Sequence, residues 1–473
     1  MIIIILIIVI MLFVDREKAL SILQEFWESK ENFLVIYGRR RIGKSRLIKE
    51  FLKRITPDNY IYFLASRRPI RYNLEKLTEK ISALLNASFS VNDFVSLFRM
   101  LVNIVSGKRF LVVIDEFTYL IEADRGIISD FQEIVDDILE GSNVKLILIG
   151  SLVGMMEQHV LGAKSPLYGR ANRIIKLPPL DLEHLVSWFG KADLTEIFKI
   201  YAVTNGVPKY LEFFRGENTE DEIIKNFFDN SSFLFRDAIE LLKEELREPT
   251  NYILILEAIA NGMTKLSEIS NYTYIEPTKL MPYISTLRSL GIVKREVPLL
   301  APKKARRGIY TISDMYFQFW FRFVSPYYEE IENEEPENAI ANFQKNFNTY
   351  LGIPFETYAR KKLRRVLRKR GYRVDILGRW WTRNIDIDIV AIDNKNRKIV
   401  FCEVKWKELS LKETYRILAK LEAKAEMFPH KKDYSKEYCI VAKKFREKLT
   451  EALLIDLKDL TISGKQDRVE QNL

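Results

Sequence analysis

The sequence predicts an α/β fold: a parallel sheet covered by helices on both faces, then a helical region and a second, smaller α/β segment. Three observations predict it. Short, nearly unbroken apolar runs occur at Asn32 to Tyr37 (NFLVIY), Tyr60 to Ala65 (YIYFLA), Phe110 to Ile114 (FLVVI), Lys145 to Ile149 (KLILI) and Arg173 to Leu177 (RIIKL). Stretches of helical periodicity separate them, and an alternating Asp/apolar run, IDIDIV, opens a strand pattern near the end of the chain. Strands buried on both faces lose the polar alternation of half-exposed ones, and alternation with helices is the mark of a parallel sheet.

The 473 residues suit two to four domains, and 47% hydrophobic with 29% charged residues indicates packed cores rather than disorder. Residues 1–14 (MIIIILIIVIMLFV) form an apolar extension. It is shorter than the roughly 20 residues of a spanning helix and lacks the charged start and cleavage site of a signal peptide. Three readings stay open: a weak anchor, an exposed extension, or a start codon placed too early, the last favoured because Met11 opens MLFVDRE. A cytoplasmic protein outside the membrane is expected. Residues 15–180 form the sheet domain. Residues 181–248 are a helical lid broken at Asn205 to Pro208, and residues 249–328 carry three short helical patterns and a basic hairpin. The acidic stretch 329–340 reads as a linker, 341–460 as the second α/β domain and 461–473 as a polar tail. No internal repeat is visible.

The first apolar run ends in GRRRIGKS, which is Gly38, Arg39, Arg40, Arg41, Ile42, Gly43, Lys44 and Ser45, and helical periodicity follows. That order of strand, glycine-flanked turn and helix is a P-loop. The glycines let successive amide N–H groups face phosphate oxygens at a helix N-terminus. Lys44 is expected to neutralise the β- and γ-phosphates of ATP, and Ser45 to offer its hydroxyl to Mg²⁺. LVVIDEF places Asp115 and Glu116 at the carboxyl end of a strand, expected beside the P-loop strand. Asp115 would join the magnesium shell and Glu116 would polarise the attacking water. Ser151, ending LILIGS, could sense the γ-phosphate or cap its strand. Arg170 could reach the phosphates from its own or a neighbouring subunit, which would make the protein a homo-oligomer, or form an ordinary ion pair. Of Arg39, Arg40 and Arg41, at least two are expected to face solvent or a partner.

Formal net charge is +10 with pI near 9.2, which suits a polyanionic partner such as DNA. Two cysteines, Cys402 and Cys439, make no disulfide framework, and three dispersed histidines, His159, His184 and His430, argue against a histidine-rich zinc site. Abundant Ile, Lys, Glu and Arg resembles thermophile composition.

The quoted segments FVDRE, GRRRIGKS, IDEF, IGS and NGVPKYL resemble the archaeal P-loop ATPases of the AAA+-related, signal-transducing (STAND-like) class, over roughly residues 13–250. The end of the chain resembles a domain frequently fused to them, similar to restriction-endonuclease-like PD-(D/E)xK folds. The resemblance implies an ATPase core, a helical lid, a winged helix and a nuclease-like C-terminus. It places Gly206 and Pro208 at the family's GxP position near the nucleotide-sensing lid. Ser151 stands where many members of the wider superfamily carry Asn or Thr.

Residues 250–313 fit a winged helix-turn-helix: a helix from Tyr252 to Ala260, a second capped by Thr264, and a third from Pro277, the recognition helix of roughly Thr278 to Leu290. The wing carries Lys294, Arg295, Lys303, Lys304, Arg306 and Arg307, which could contact phosphate backbone; packing against the ATPase is the other use of such a module. Farther on, IDIDIVAIDNKNRKIVFCEVKWK reads as two strands about a turn at Asn394 to Arg397. Period two puts Asp386 with Asp388 on one face of the first strand, and Glu403 with Lys405 on one face of the second. Antiparallel pairing would bring Asp388 to Glu403, a pair able to hold a divalent cation beside a lysine that orients water. This is similar to the D…ExK site of restriction-like nucleases. The resemblance carries the catalytic role onto Asp388, Glu403 and Lys405, with Glu356 in PFETYAR as an added acid and Asp386 as an alternative. Trp380 and Trp381 could stack on bases or pack in the core, and the basic helix Arg360 to Arg370 would suit a duplex backbone. Two functions follow: an ATPase driving a DNA-associated machine, or a slow nucleotide-gated switch with a non-catalytic C-terminal domain.

Overall fold

The computed structural model describes residues 16–461 apart from 89, 106, 247, 303, 304, 306, 307 and 430–432. The apolar extension, the polar tail, four wing cations (Lys303, Lys304, Arg306, Arg307) and His430 therefore lie outside the described residues. Among the described residues no helix is long and apolar enough to cross a membrane. The chain forms two compact units. One runs to Leu180 and includes Val207–Lys209; the other comprises Asp181–Gly206 and the chain from Tyr210 onward.

The first unit is a five-stranded parallel sheet of β1 (Phe33–Tyr37), β2 (Tyr60–Leu64), β3 (Phe110–Asp115), β4 (Val144–Gly150) and β5 (Arg173–Lys176), in the order β2-β3-β4-β1-β5. β1, β3 and β4 are buried along their whole length, as their nearly unbroken apolar sequences require, with Lys145 in β4 and Asp115 at the end of β3 buried among them. One face packs Val35, Val112 and Leu146 against Phe98 and Phe131. The other packs Leu34, Val113 and Ile147 against Phe26, Leu47 and Phe51. Burial of each such side chain contributes about 1.5–3 kcal/mol, so two apolar layers fix the sheet from both sides. The strand carrying the paired acids is not beside the P-loop strand. β4 pairs with both β1 and β3 and separates them. All three run parallel, so their carboxyl ends, and the residues that follow, still share one edge of the sheet.

In the second unit, helices Leu182–Phe189 and Leu194–Thr204 begin on side-chain caps from Asp181 and Asp193. Helices Thr250–Ala260, Leu266–Thr273 and Pro277–Ser289 precede an antiparallel hairpin of β6 (Val293–Glu296) and β7 (Ile309–Ile312). The second of these helices starts later than a Thr264 cap requires: Glu268 accepts from the Thr264 and Lys265 amides instead, at 3.0 Å each. Just after β6, the Leu299 amide donates to the Arg379 carbonyl at 2.8 Å.

The acidic stretch is not a linker. Residues 328–332 and Glu337–Tyr350 are helical, and Phe343 and Tyr350 pack edge-on against Phe323. Glutamates line the exposed side of these short helices and mask the apolar residues beneath, such as Ile331 and Ala339. The closing sheet has the order β12-β11-β10-β9-β8, from β8 (Ile376–Trp381), β9 (Asp386–Asp393), β10 (Lys398–Leu409), β11 (Ser435–Phe445) and β12 (Leu453–Asp456). β8, β9 and β10 are antiparallel, and β10, β11 and β12 parallel. Cys402 and Cys439 are in-register neighbours on β10 and β11, both buried as free thiols.

Helices Leu182–Phe189 and Leu194–Thr204 join this sheet inside the same unit. Phe198 stacks on Trp406 with centroids 4.6 Å apart, and Phe355 meets Trp406 edge-on at 5.2 Å. Lys362 pairs with Asp181 and Glu183 at 2.6 and 2.9 Å, and Arg365 with Glu183 at 2.6 Å. Burial pushes the Asp181 carboxyl up, but Lys361 and Lys362 outweigh it and hold the group below its ordinary range. Much of the basic face of helix Gly352–Lys369 is thus spent on the fold rather than offered to a duplex. Its acidic partners lie some 180 residues away in sequence.

Candidate functional site

The carboxyl edge of the first sheet collects the P-loop residues. Gly38 leaves β1 beside Leu177, where an added Cβ would lie 2.5 Å from the Leu177 carbonyl oxygen, so only glycine fits. Gly43 adopts φ +94° at the N-cap of helix Lys44–Leu52. Ile42 is buried and anchors the turn from inside. Arg16, itself buried, donates to the Ile42 carbonyl at 3.3 Å and the Pro178 carbonyl at 2.9 Å, bracing the loop from behind.

Lys44 is 5% exposed, and its ammonium donates to the Gly38 and Arg39 carbonyls at 2.7 and 3.0 Å. Arg40 turns to the Tyr119 hydroxyl at 2.7 Å, and Arg67 lies over the Tyr119 ring. Arg41 sits at φ +67°, and its carbonyl accepts from the Lys209 amide at 3.4 Å. This brings the segment holding Pro208 to the loop.

The acids meet the loop across β4. The Ser45 hydroxyl donates to Asp115 Oδ2 at 2.7 Å, the Tyr62 hydroxyl donates to the same oxygen, and the Glu116 amide donates to Asp115 Oδ1 at 2.9 Å. Asp115 is fully buried, and its three donors fix the carboxylate in direction. Burial first, then the Asp115 carboxylate, pushes the Tyr62 phenol well up, so Tyr62 stays a donor. Glu116 has φ +57° at the strand-to-helix turn, and Ser151, also fully buried, donates to Glu116 Oε2 at 2.5 Å. Arg170 goes elsewhere: it forms an ion pair with Asp136 at 2.8 Å and donates to the Pro166 carbonyl at 2.6 Å. Tyr62, Tyr119 and Arg16 have no sequence signal, since each reaches the site from a distant element.

This edge fits a magnesium–nucleotide complex. Backbone amides and a helix N-terminus are gathered in a glycine-permitted turn, with one ammonium. A hydroxyl and a carboxylate, the oxygen donors magnesium prefers, already touch each other.

In the closing sheet the pairing of β9 with β10 is as expected, with Ile389 opposite Cys402, so Asp388 and Glu403 adjoin. Asp388 Oδ2 accepts from the Val404 amide at 2.8 Å and lies 3.8 Å from the Lys405 ammonium; Lys405 meets Glu403 Oε1 at 2.8 Å. Burial first, then Glu403 and Glu356, raises the Asp388 carboxyl well above the usual carboxylate range. Lys424, from helix Leu411–Glu426, adds a second ammonium on Glu403 at 3.1 and 3.2 Å. Glu356 is bonded to Arg360, and Asp386 pairs with Arg379 at 3.4 Å. Among the described residues no three His, Cys, Asp or Glu side chains form a group able to hold a metal. Asp388 and Glu403 supply two carboxylates only. Trp380 lies in the core against Phe428, and Trp381 takes the Arg379 guanidinium over its ring.

Two parts of the chain match known families. Residues 13–214 match a family described as an ATPase domain predominantly from Archaea, and residues 320–417 one described as archaeal and bacterial proteins of unknown function. An uncharacterized protein of Methanocaldococcus jannaschii is 36% identical over 454 residues, covering 95% of this chain and 100% of that protein. An uncharacterized ATP-binding protein of the same organism is 49% identical over 45 residues, 9% of this chain and 76% of that protein. Among solved structures, the Aeropyrum pernix ORC2 protein aligns over 71% of this chain and 95% of its own, at 15% identity and TM-score 0.41. A signal transduction ATPase with numerous domains from Pyrococcus horikoshii aligns over 76% and 50%, at 16% identity and TM-score 0.31.

Proposed function

This chain belongs to the archaeal ATPase family whose domain spans residues 13–214, and on that premise we propose that it binds ATP with magnesium at the first sheet's carboxyl edge and hydrolyses it. The observation that carries this reading is the joined chain of contacts from Ser45 to Asp115 and from Glu116 to Ser151 along one edge. In this mechanism the amides of residues 38–45 hold the phosphates, and Lys44 exchanges its two carbonyl partners for phosphate oxygens. Ser45 and Asp115 would hold magnesium, whose chemistry is to neutralise charge on the phosphate oxygens. Glu116, aimed by Ser151, takes the proton of the attacking water. Tyr62 and Arg16 position Asp115 and the loop without touching substrate. Lys44→Ala should abolish phosphate release; unchanged release refutes the site.

For the second unit the proposal is action on DNA, with the winged-helix segment and the β9–β10 acids as the contacting parts. Asp388 and Glu403 would hold a divalent cation, and Lys405 would stabilise charge on the cleaved phosphate. DNA cleavage that requires magnesium and vanishes in Glu403→Ala and Lys405→Ala supports it. One observation favours a second reading, a nucleotide-gated switch whose C-terminal module binds without cutting. Glu403 is held by two lysines, and Glu356, the third acid, is engaged by Arg360. No cleavage with magnesium or manganese, together with slow ATP turnover, selects the switch.

A further inference from the structure

Inside the second unit, the end of helix Thr250–Ala260, strand β7, helix Met315–Phe323, helix Gly352–Lys369 and strand β8 enclose a cleft of about 580 Å³. Two guanidinium groups line it, Arg322 and Arg379, against a single acid, Glu356, which Arg360 already neutralises. Two buried polar atoms of lining residues, Thr311 Oγ1 and Arg379 Nε, have no hydrogen-bond partner among the described residues. Arg379 Nε is 4.0 Å from Glu356, beyond hydrogen-bond reach. Buried donors left unmade are costly and mark places where a missing group completes the bonding. The Gln318 amide adds a donor and an acceptor, and Ile353, 51% exposed, supplies an apolar wall.

Cationic donors select an anion, yet the volume far exceeds a lone phosphate or carboxylate and falls in the range of organic-ligand pockets. An amide, a hydroxyl and an apolar wall beside the cations match a heterocycle with polar edges attached to that anion. We propose that this cleft binds one nucleoside phosphate unit. Arg322 and Arg379 hold the phosphate, Thr311 and Gln318 bond the polar edges, and the ring lies on Ile353. The unit is either a free mononucleotide or the exposed end of a nucleic-acid strand. Arg379 also pairs with Asp386, two residues from Asp388, so the ligand sits next to the acid pair. This deepens the reading of the second unit and does not rest on cleavage there or on the P-loop.

The test uses the full chain carrying Lys44→Ala, so that the P-loop does not take up the probe, in EDTA to prevent cutting. Thymidine 5′-monophosphate is titrated by calorimetry and a labelled single-stranded oligothymidylate by fluorescence anisotropy. Binding of both probes assigns the isolated unit, and binding of the oligonucleotide alone assigns a strand end. In either case Arg322→Ala should weaken affinity about tenfold, as for loss of a charge-assisted phosphate contact, and the near-isosteric Thr311→Val by about threefold. Neither substitution alters the apolar core, and unchanged thermal melting verifies folding. Absence of binding by both probes at millimolar concentration, or affinities in both variants within twofold of the parent, overturns the proposal. With Lys44 intact, Arg322→Ala should retain ATP turnover, so failure of the P-loop reading registers separately.

Discussion

Replacing Ser151 by alanine removes one oxygen from a fully buried position and with it the 2.5 Å bond to Glu116 Oε2. Hydrogen bonds to charged groups contribute about 1.5–3 kcal/mol. If that bond aims the base in the transition state, its loss lowers kcat by about ten- to a hundredfold, at 1.36 kcal/mol per factor of ten. Phosphate contacts come from residues 38–45, so ATP affinity and KM should change by less than about twofold, the signature of an interaction made only in the transition state. Steady-state phosphate release gives kcat, and titration with a fluorescent ATP analogue gives affinity. A double-mutant cycle sharpens the assay. In Glu116→Gln the base is already gone, so adding Ser151→Ala should cost little more. A kcat for Ser151→Ala within twofold of the natural chain, or fully additive losses in the double variant, would refute the assignment.

Four further outcomes are expected. Gly38→Ala forces a Cβ within 2.5 Å of the Leu177 carbonyl; it should lower stability by about 1–3 kcal/mol, read as a lower urea midpoint for the first unit. Tyr62→Phe removes one of three donors to Asp115 and should raise the magnesium concentration for half-maximal turnover several-fold, while nucleotide affinity in EDTA stays unchanged. Asp388→Asn tests the raised carboxyl. A folded pKa above the unfolded one means the native state binds the extra proton, so ionisation costs stability as pH climbs from near 4 through the raised value. The metal-free variant should therefore melt above the natural chain at pH 8, with the gap closing toward pH 4; an equal gap at both would contradict the shift. Trp406→Ala removes the ring stacked on Phe198 and should destabilise the second unit by about 3–5 kcal/mol in denaturant melts.

The sheet, the turn and the acids were legible because local chemistry determines them. Five apolar runs specify the strands, of which the edge strands β2 and β5 prove partly exposed, the glycines of GRRRIGKS have no alternative at their backbone angles, and strands of one direction deliver Asp115, Glu116 and Ser151 to one edge. Pairing of Asp388 with Glu403 was legible for a similar reason, since a short turn between two alternating strands fixes their register. Strand order was not legible: nothing in LVVIDEF or LILIGS says which lies next to β1, and β4 proves to be the one between. Nor were Arg16, Tyr62 and Lys424, whose bonds link residues 20 or more apart through the folded chain. The basic helix and the acidic stretch misled for one physical cause. A charged side chain looks the same in sequence whether it faces water or a partner such as Asp181, and Glu329 to Glu337 hid the apolar residues beneath them.

The central claim is that the amides and Lys44 of the first glycine-flanked turn hold a triphosphate whose metal is managed by Ser45 and Asp115. Equilibrium binding of ATP to the purified full chain, with magnesium and then with EDTA, tests it directly. Saturable binding that weakens about tenfold or more without the metal and is lost in Lys44→Ala is the predicted result. No detectable affinity for ATP in the presence of magnesium, or equal affinity in Lys44→Ala, would contradict it.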